Sequence, residues 1–238
     1  MESIKDMGSL NIFKIFNTAK KFKNDKNAGN DLLKNYIFGL LFFEPSTRTC
    51  LSFESAIYRL GGKVIKYNSD YSSEKKGESL EDTIKTIESY VDVFIIRHPE
   101  KNIISKIKKI TKKPIINAGD GDGEHPTQAL LDLFTIMEYY PTLPENIAFT
   151  GDIKYSRTIH SLVYLIKKLN TNKDILLYFV SDKNLEPDKF LLNNLNYQIV
   201  DNIESIIDKI DVLYVTRLQK ERFGDKNMEI KKIIVNEK

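Results

Sequence analysis

The alternation of short apolar runs with stretches of helical spacing constrains this chain more than any other feature. In the first half the runs are residues 37–43, 63–67, 93–97 and 114–117, and segments 9–23, 47–60, 80–91, 103–110 and 127–140 carry apolar residues three and four apart. Runs of β-branched and aromatic residues without polar interruption suit strands buried on both faces, and crossover helices are the elements that bury them. The expectation is an α/β protein built on a mainly parallel sheet flanked by helices. After Pro141 and Pro144 the alternation restarts, with strands expected at 147–150, 175–180 and 212–215 and helices at 155–169 and 203–210. This divides the chain into a first domain, 1–140, whose last helix (127–140) forms a bridge, and a second, 141–238. The Lys- and Asn-rich stretch 20–35 and the polar stretch 70–79 read as solvated connections.

Composition removes several classes of function. With 41% hydrophobic and 29% charged residues in 238, an ordinary globular chain is expected. No apolar run approaches the roughly 18 to 20 residues that cross a bilayer, and MESIKDMGSLNIF is not a signal peptide, so a cytoplasmic address without membrane contact follows. A net charge of +3, on lysines spread along the chain, does not mark a nucleic-acid binder. The one cysteine, Cys50, allows no internal disulfide and reads as a small packed side chain rather than a reactive thiol. Three separated histidines hold no metal-ligand spacing, and Asp120-Gly121-Asp122-Gly123 lacks the closing glutamate of a calcium loop, so it reads as a turn; no metal and no cofactor are expected.

Arginine usage points to chemistry. Of the 36 lysine and arginine residues only Arg48, Arg59, Arg97, Arg157, Arg217 and Arg222 are arginine. A chain that takes lysine for solubility uses arginine where a planar fork must grip carboxylate or phosphate oxygens in pairs. FEPSTRT (43–49) follows a strand and opens a helix, where free backbone N–H groups and the helix dipole attract an anion; Ser46, Thr47, Arg48 and Thr49 add donors. On a plainer reading Ser46 is a helix cap and Arg48 a surface charge.

FEPSTRT followed by LSFESAIYRLGG resembles the carbamoyl phosphate loop and following helix of the aspartate and ornithine carbamoyltransferases. SSEKKGESLEDT (72–83), IIRHP (95–99), NAGDGDGEHPTQALLDLFTI (117–136), GDIKYSRTIHSL (151–162) and TRLQKERF (216–223) continue the resemblance in order. The last two are similar to the aspartate branch. The resemblance implies transfer of a carbamoyl group from carbamoyl phosphate to the α-amine of L-aspartate, giving N-carbamoyl-L-aspartate and phosphate, a step of de novo pyrimidine biosynthesis. Alternatives are a non-catalytic carbamoyl phosphate-binding or partner subunit, and transfer to another acceptor such as ornithine.

It also implies roles. Ser46, Thr47, Arg48 and Thr49 would cradle the phosphate. Thr49, Arg97 and His125 would face the carbonyl oxygen, where donors strengthen as charge develops, and Gln128 would accept from the carbamoyl amide. Lys76, Arg157, Arg217 and Gln219 would hold aspartate, with Ser72 and Lys76 reaching in from a neighbouring subunit of a homotrimer. Glu44, with Arg222 and Arg157, would support domain closure. His98 and His160 are given structural tasks. A regulatory chain or pathway partner is left open.

Two departures from the family pattern follow. Ser156 stands where the family usually has glycine, which is strained if φ is positive there. The family also continues past Lys238, through a His-Pro-Leu-Pro-like loop, further strands and a terminal helix. Ending after an apolar, strand-like run at 230–235, the chain is expected to have an incomplete second sheet with an exposed edge.

Overall fold

The central strands of the first half are apolar on both faces, and the computed structural model, which describes residues 1–68, 77–170 and 175–219, puts both faces to use. β1 (Ile37–Phe42) pairs in parallel with β2 (Lys63–Asn68) on one side and β3 (Val93–His98) on the other, and β4 (Ile115–Asp120) adds to β3, giving the order β2-β1-β3-β4. Alternation along β1 and β3 assigns the faces. Leu41, Phe94 and Ile96 pack with Ile84 of α3 (Leu80–Glu88) and with Ile103, Ile104 and Ile107 of α4 (Ile103–Ile107). Phe38, Leu40 and Ile95 pack the other way, with Ile57 of α2 (Arg48–Arg59). α1 (Ser9–Asn24) precedes the sheet and buries Ile12 and Phe16.

The second sheet repeats the plan. β5 (Asn146–Thr150) lies between β6 (Leu176–Val180) and β8 (Val212–Val215), with β7 (Asn196–Val200) outside β6, and these pairings are parallel. α5 (Pro126–Tyr139), α6 (Arg157–Leu169), a single 3-10 turn (Lys183–Leu185) and the short α7 (Lys189–Leu192) complete the described elements. Phe149 stacks on Phe179 at 5.6 Å and meets Tyr214 at 5.8 Å, an aromatic row across three strands of one face. By compactness the chain divides into Met1–Thr127 and Gln128–Lys238, a division that falls inside α5.

Three sequence expectations are corrected. Residues 203–210 do not form a helix. Ile206 N–H donates to the Ile203 carbonyl and Lys209 N–H to that of Ile206, a chain of three-residue turns started by Asn202, whose side chain accepts from Ser205 N–H. Those turns still press Ile203 and Ile206 onto the second sheet. β7 was not anticipated, because its residues are largely exposed at the sheet edge and carry little apolar pattern. Ser156 has φ −82°, so it suffers no left-handed strain; it caps α6 by accepting from Ile159 N–H. The run 230–235 lies outside the described residues. No helix among the described residues is long and apolar enough to cross a membrane.

Candidate active site

In both sheets a central strand has successors on opposite sides: β1 leads to β2 on one side and β3 on the other, and β5 to β6 and β8. The crevice outside the carboxyl ends of such strands is where open α/β sheets place ligands. In the first sheet FEPSTRT leaves the end of β1, and Arg97 lies near the end of β3. Phe43 N–H donates to the Arg97 carbonyl at 2.8 Å, which ties the two strand ends together.

Arg97 organises this end of the sheet. Its Nε donates to Glu44 Oε1 at 2.6 Å, and its Nη1 reaches Thr49 Oγ1 at 3.4 Å. The pair is mostly shielded from solvent, with 16% of the Arg97 side chain and 22% of Glu44 exposed, so screening by water and salt is reduced. Thr49 belongs to the first turn of α2, whose cap is Thr47 and not Ser46. No side chain caps that helix and its first turn carries no acid, which leaves its N–H groups suited to an anion. Thr47 and Arg48 are exposed, Ser46 and Thr49 half-buried.

His125 is buried immediately before Pro126, the first residue of α5. The loop carrying it is held by Asp120, which the sequence places in a turn, and by Glu124, which sequence reasoning did not single out. Asp120 accepts from Glu124 N–H at 2.8 Å and from Asn102 N–H at 3.0 Å, and Gly123 N–H closes a turn onto the Asp120 carbonyl. Glu124 accepts from Ser3 Oγ at 2.5 Å and from Ile4 N–H at 2.9 Å. Burial pushes the Glu124 carboxyl above its ordinary range, with those two donors pulling it back. The Asp-Gly-Asp-Gly segment is thus a turn, and the spacing of its glycines was the available signal.

Gln128 lies in the second unit. Its Nε2 donates to Asp132 Oδ1 at 2.8 Å, and Tyr214 Oη donates to Asp132 Oδ2 at 2.8 Å. Burial raises the Asp132 carboxyl, with Tyr214 and then Gln128 opposing the shift; burial and the neighbouring Asp132 raise the Tyr214 phenol.

Around the second switch strand, Asp152 links two loops. It is fully buried, and it accepts from Tyr155 N–H at 2.9 Å and from Gln219 N–H at 3.1 Å. Thr216 Oγ1 donates to the Thr150 and Asp152 carbonyls at 3.1 and 3.3 Å. These bonds bring the turn leading to Arg157, at the start of α6, beside the segment carrying Arg217 and Gln219. Arg157 is buried, whereas Arg217 is exposed and donates to the Leu218 carbonyl. Ser72, Lys76 and Arg222 lie outside the described residues, so the expected Glu44–Arg222 pairing does as well.

The remaining candidates have structural surroundings. His98 Nδ1 accepts from Glu100 N–H, His160 Nε2 lies 3.2 Å from the Ile153 carbonyl, and Cys50 packs beside Phe53 and Val64 against the core beneath α2. Burial raises the Cys50 thiol, which disfavours the thiolate a reactive cysteine needs.

Two parallel sheets, each with a switch point beside its central strand, define the chain as an α/β protein with two open-sheet crevices. The model for the carbamoyl-P binding domain of aspartate/ornithine carbamoyltransferase matches residues 1–138. The aspartate carbamoyltransferase catalytic subunit of Methanobrevibacter smithii is 46% identical, over 99% of this chain and 78% of that protein. Among solved structures, aspartate transcarbamoylase from Trypanosoma cruzi in complex with aspartate and phosphate superposes with a TM-score of 0.87 at 36% identity, over 93% of this chain and 76% of that one. The catalytic subunit of Methanocaldococcus jannaschii aspartate transcarbamoylase gives 0.82 at 43%, over 94% and 76%. The chain belongs to the aspartate/ornithine carbamoyltransferase family.

Proposed function

We propose that this chain transfers the carbamoyl group of carbamoyl phosphate to the α-amine of L-aspartate, forming N-carbamoyl-L-aspartate and phosphate. The observation that carries the reading is the Arg97 guanidinium, held on Glu44 and reaching Thr49 at the uncapped start of α2. Phosphate oxygens meet the first-turn N–H groups of α2 with Ser46, Thr47, Arg48 and Thr49. The amine attacks the carbonyl carbon, a C–N bond forms, and the carbonyl oxygen becomes negative in the tetrahedral species. Arg97, Thr49 and His125 donate to that oxygen, a role in which preorganised donors act most strongly because charge develops there. The carbonyl then re-forms as the C–O bond to phosphate breaks, and phosphate leaves with the bonding pair and takes up the proton that the amine nitrogen gives up. Gln128 accepts from the carbamoyl NH2.

Aspartate as acceptor is supported by the Asp152-linked loops that carry Arg157, Arg217 and Gln219, since two carboxylates require forked cations. It is supported too by relatives named as aspartate carbamoyltransferases and by a T. cruzi structure containing carbamoyl aspartate and phosphate. The same reading assigns Ser72 and Lys76 to a neighbouring subunit's site in a cytoplasmic homotrimer, Lys76 on aspartate, and Glu44 with Arg222 to closure. The product belongs to pyrimidine synthesis.

The test incubates the purified chain with carbamoyl phosphate and either aspartate or ornithine. N-carbamoylaspartate is expected, and it should disappear in Arg97→Ala. Product with ornithine alone would overturn the acceptor assignment; carbamoyl phosphate binding with no product would favour a non-catalytic partner subunit.

A further inference from the structure

Asp132 stands one helical turn beyond Gln128 on α5, with one carboxylate oxygen engaged by the Gln128 amide and the other by the Tyr214 hydroxyl, each at 2.8 Å. A carboxylate only accepts, so the glutamine must meet it with its NH2. The amide orientation, which a glutamine without such a partner leaves ambiguous, is thereby chosen: Oε1 occupies the opposite branch of the amide carbon. Tyr214 in turn is kept a donor. Its ring is fixed against Phe149, and the Thr158 side chain contributes a hydrogen bond to the phenol oxygen.

We infer that Asp132 and Tyr214 are positioning residues that select the carbamoyl donor, by holding Gln128 Oε1 as an acceptor aimed at an NH2 group. This rests on the proposed role of Gln128. A donor with methyl in place of that NH2, such as acetyl phosphate, offers Oε1 nothing to accept from, and an acceptor shielded by the ligand without a partner disfavours that ligand.

The geometry forecasts how each variant acts. In Asp132→Asn, the Tyr214 donor takes the asparagine oxygen, so the asparagine NH2 faces Gln128. The Gln128 amide must then flip and present its own NH2 to the ligand. In Tyr214→Phe the ring packing is kept, but the carboxylate loses one of its two donors and its burial is less compensated. Released from the phenol, the carboxylate can turn about its side-chain bonds, and the Gln128 amide it holds loses its fixed aim.

The experiment measures binding of carbamoyl phosphate and acetyl phosphate to the full chain by calorimetry, for the wild type, Gln128→Ala, Asp132→Asn and Tyr214→Phe, with a thermal melt of each. The wild type should prefer carbamoyl phosphate, and Gln128→Ala should lose that preference. Both positioning variants should lose about three- to tenfold of it, the worth of one net hydrogen bond, through weaker carbamoyl phosphate binding alone. If Gln128→Ala abolishes the preference while both positioning variants keep it, or weaken both ligands equally, the positioning role is overturned and the Gln128 reading survives. If Gln128→Ala keeps the preference, or the wild type has none, the Gln128 reading falls and the positioning role with it. Tyr214→Phe retains the aromatic row, so the test does not depend on Asp132→Asn folding.

Discussion

Glu44 shows how one contact adds a role to the one a motif suggests. On the sequence it is an acid in a phosphate loop with a closure task involving Arg222; in the structure its partner is Arg97 at 2.6 Å, across 53 residues of chain. Fixing a guanidinium before substrate arrives removes the freedom it would otherwise lose in the transition state. Glu44→Ala should therefore lower kcat/KM for carbamoyl phosphate by about tenfold, as expected for a hydrogen bond to a charged group worth roughly 1.5 kcal/mol. Any closure role adds a separate loss in the aspartate term. Steady-state kinetics with each substrate varied in turn resolves the two, and an unchanged carbamoyl phosphate term would remove Glu44 from the positioning of Arg97.

At the scale of elements, legibility followed burial. The strands of the first sheet were readable because burial on both faces demands unbroken apolar runs, as in Phe38, Leu40 and Leu41 of β1. β7 escaped because an edge strand tolerates the polar Asn196 and Gln198. Residues 203–210 misled because apolar residues three apart also suit consecutive three-residue turns, and only the local bonds of Asn202 and Ser205 decide between them. The FEPSTRT turn, Arg97 and His125 stood out as motifs, but the long-range carboxylate contacts around the candidate site did not. Asp132 meets Tyr214 across 82 residues and Asp152 meets Gln219 across 67, separations that leave no local pattern. The turn after β5 provides a test at this scale. Gly151 has φ +102°, and a Cβ there would lie 2.1 Å from the Thr216 carbonyl oxygen, which is backbone and cannot swing aside. Gly151→Ala should destabilise the second unit by about 2–4 kcal/mol, combining left-handed strain with the clash. It should also weaken aspartate binding more than carbamoyl phosphate binding, because β8 leads to Arg217. Urea unfolding followed by tyrosine fluorescence gives the first number, and an unaltered midpoint would contradict the close approach of the two loops.

For the whole molecule, the proposed homotrimer makes a demand that no single chain can meet. If Lys76 of one subunit serves the site built by Arg97 and His125 of its neighbour, then Lys76→Ala and Arg97→Ala each abolish every site in their own homotrimers, yet damage different halves of a site. Dissociating the two inactive proteins together and reassembling them at equal ratio pairs intact halves by chance. In a closed ring each site draws its two halves from adjacent subunits independently, so about one quarter of the sites should be whole. Activity should rise from near zero to about that fraction of wild type, and should not rise when the two proteins are mixed without dissociation. A site contained within one chain gives no recovery under either condition, because no mixing restores Lys76 and Arg97 to the same polypeptide. The outcome thus distinguishes shared from self-contained sites without relying on the absolute rate of either variant.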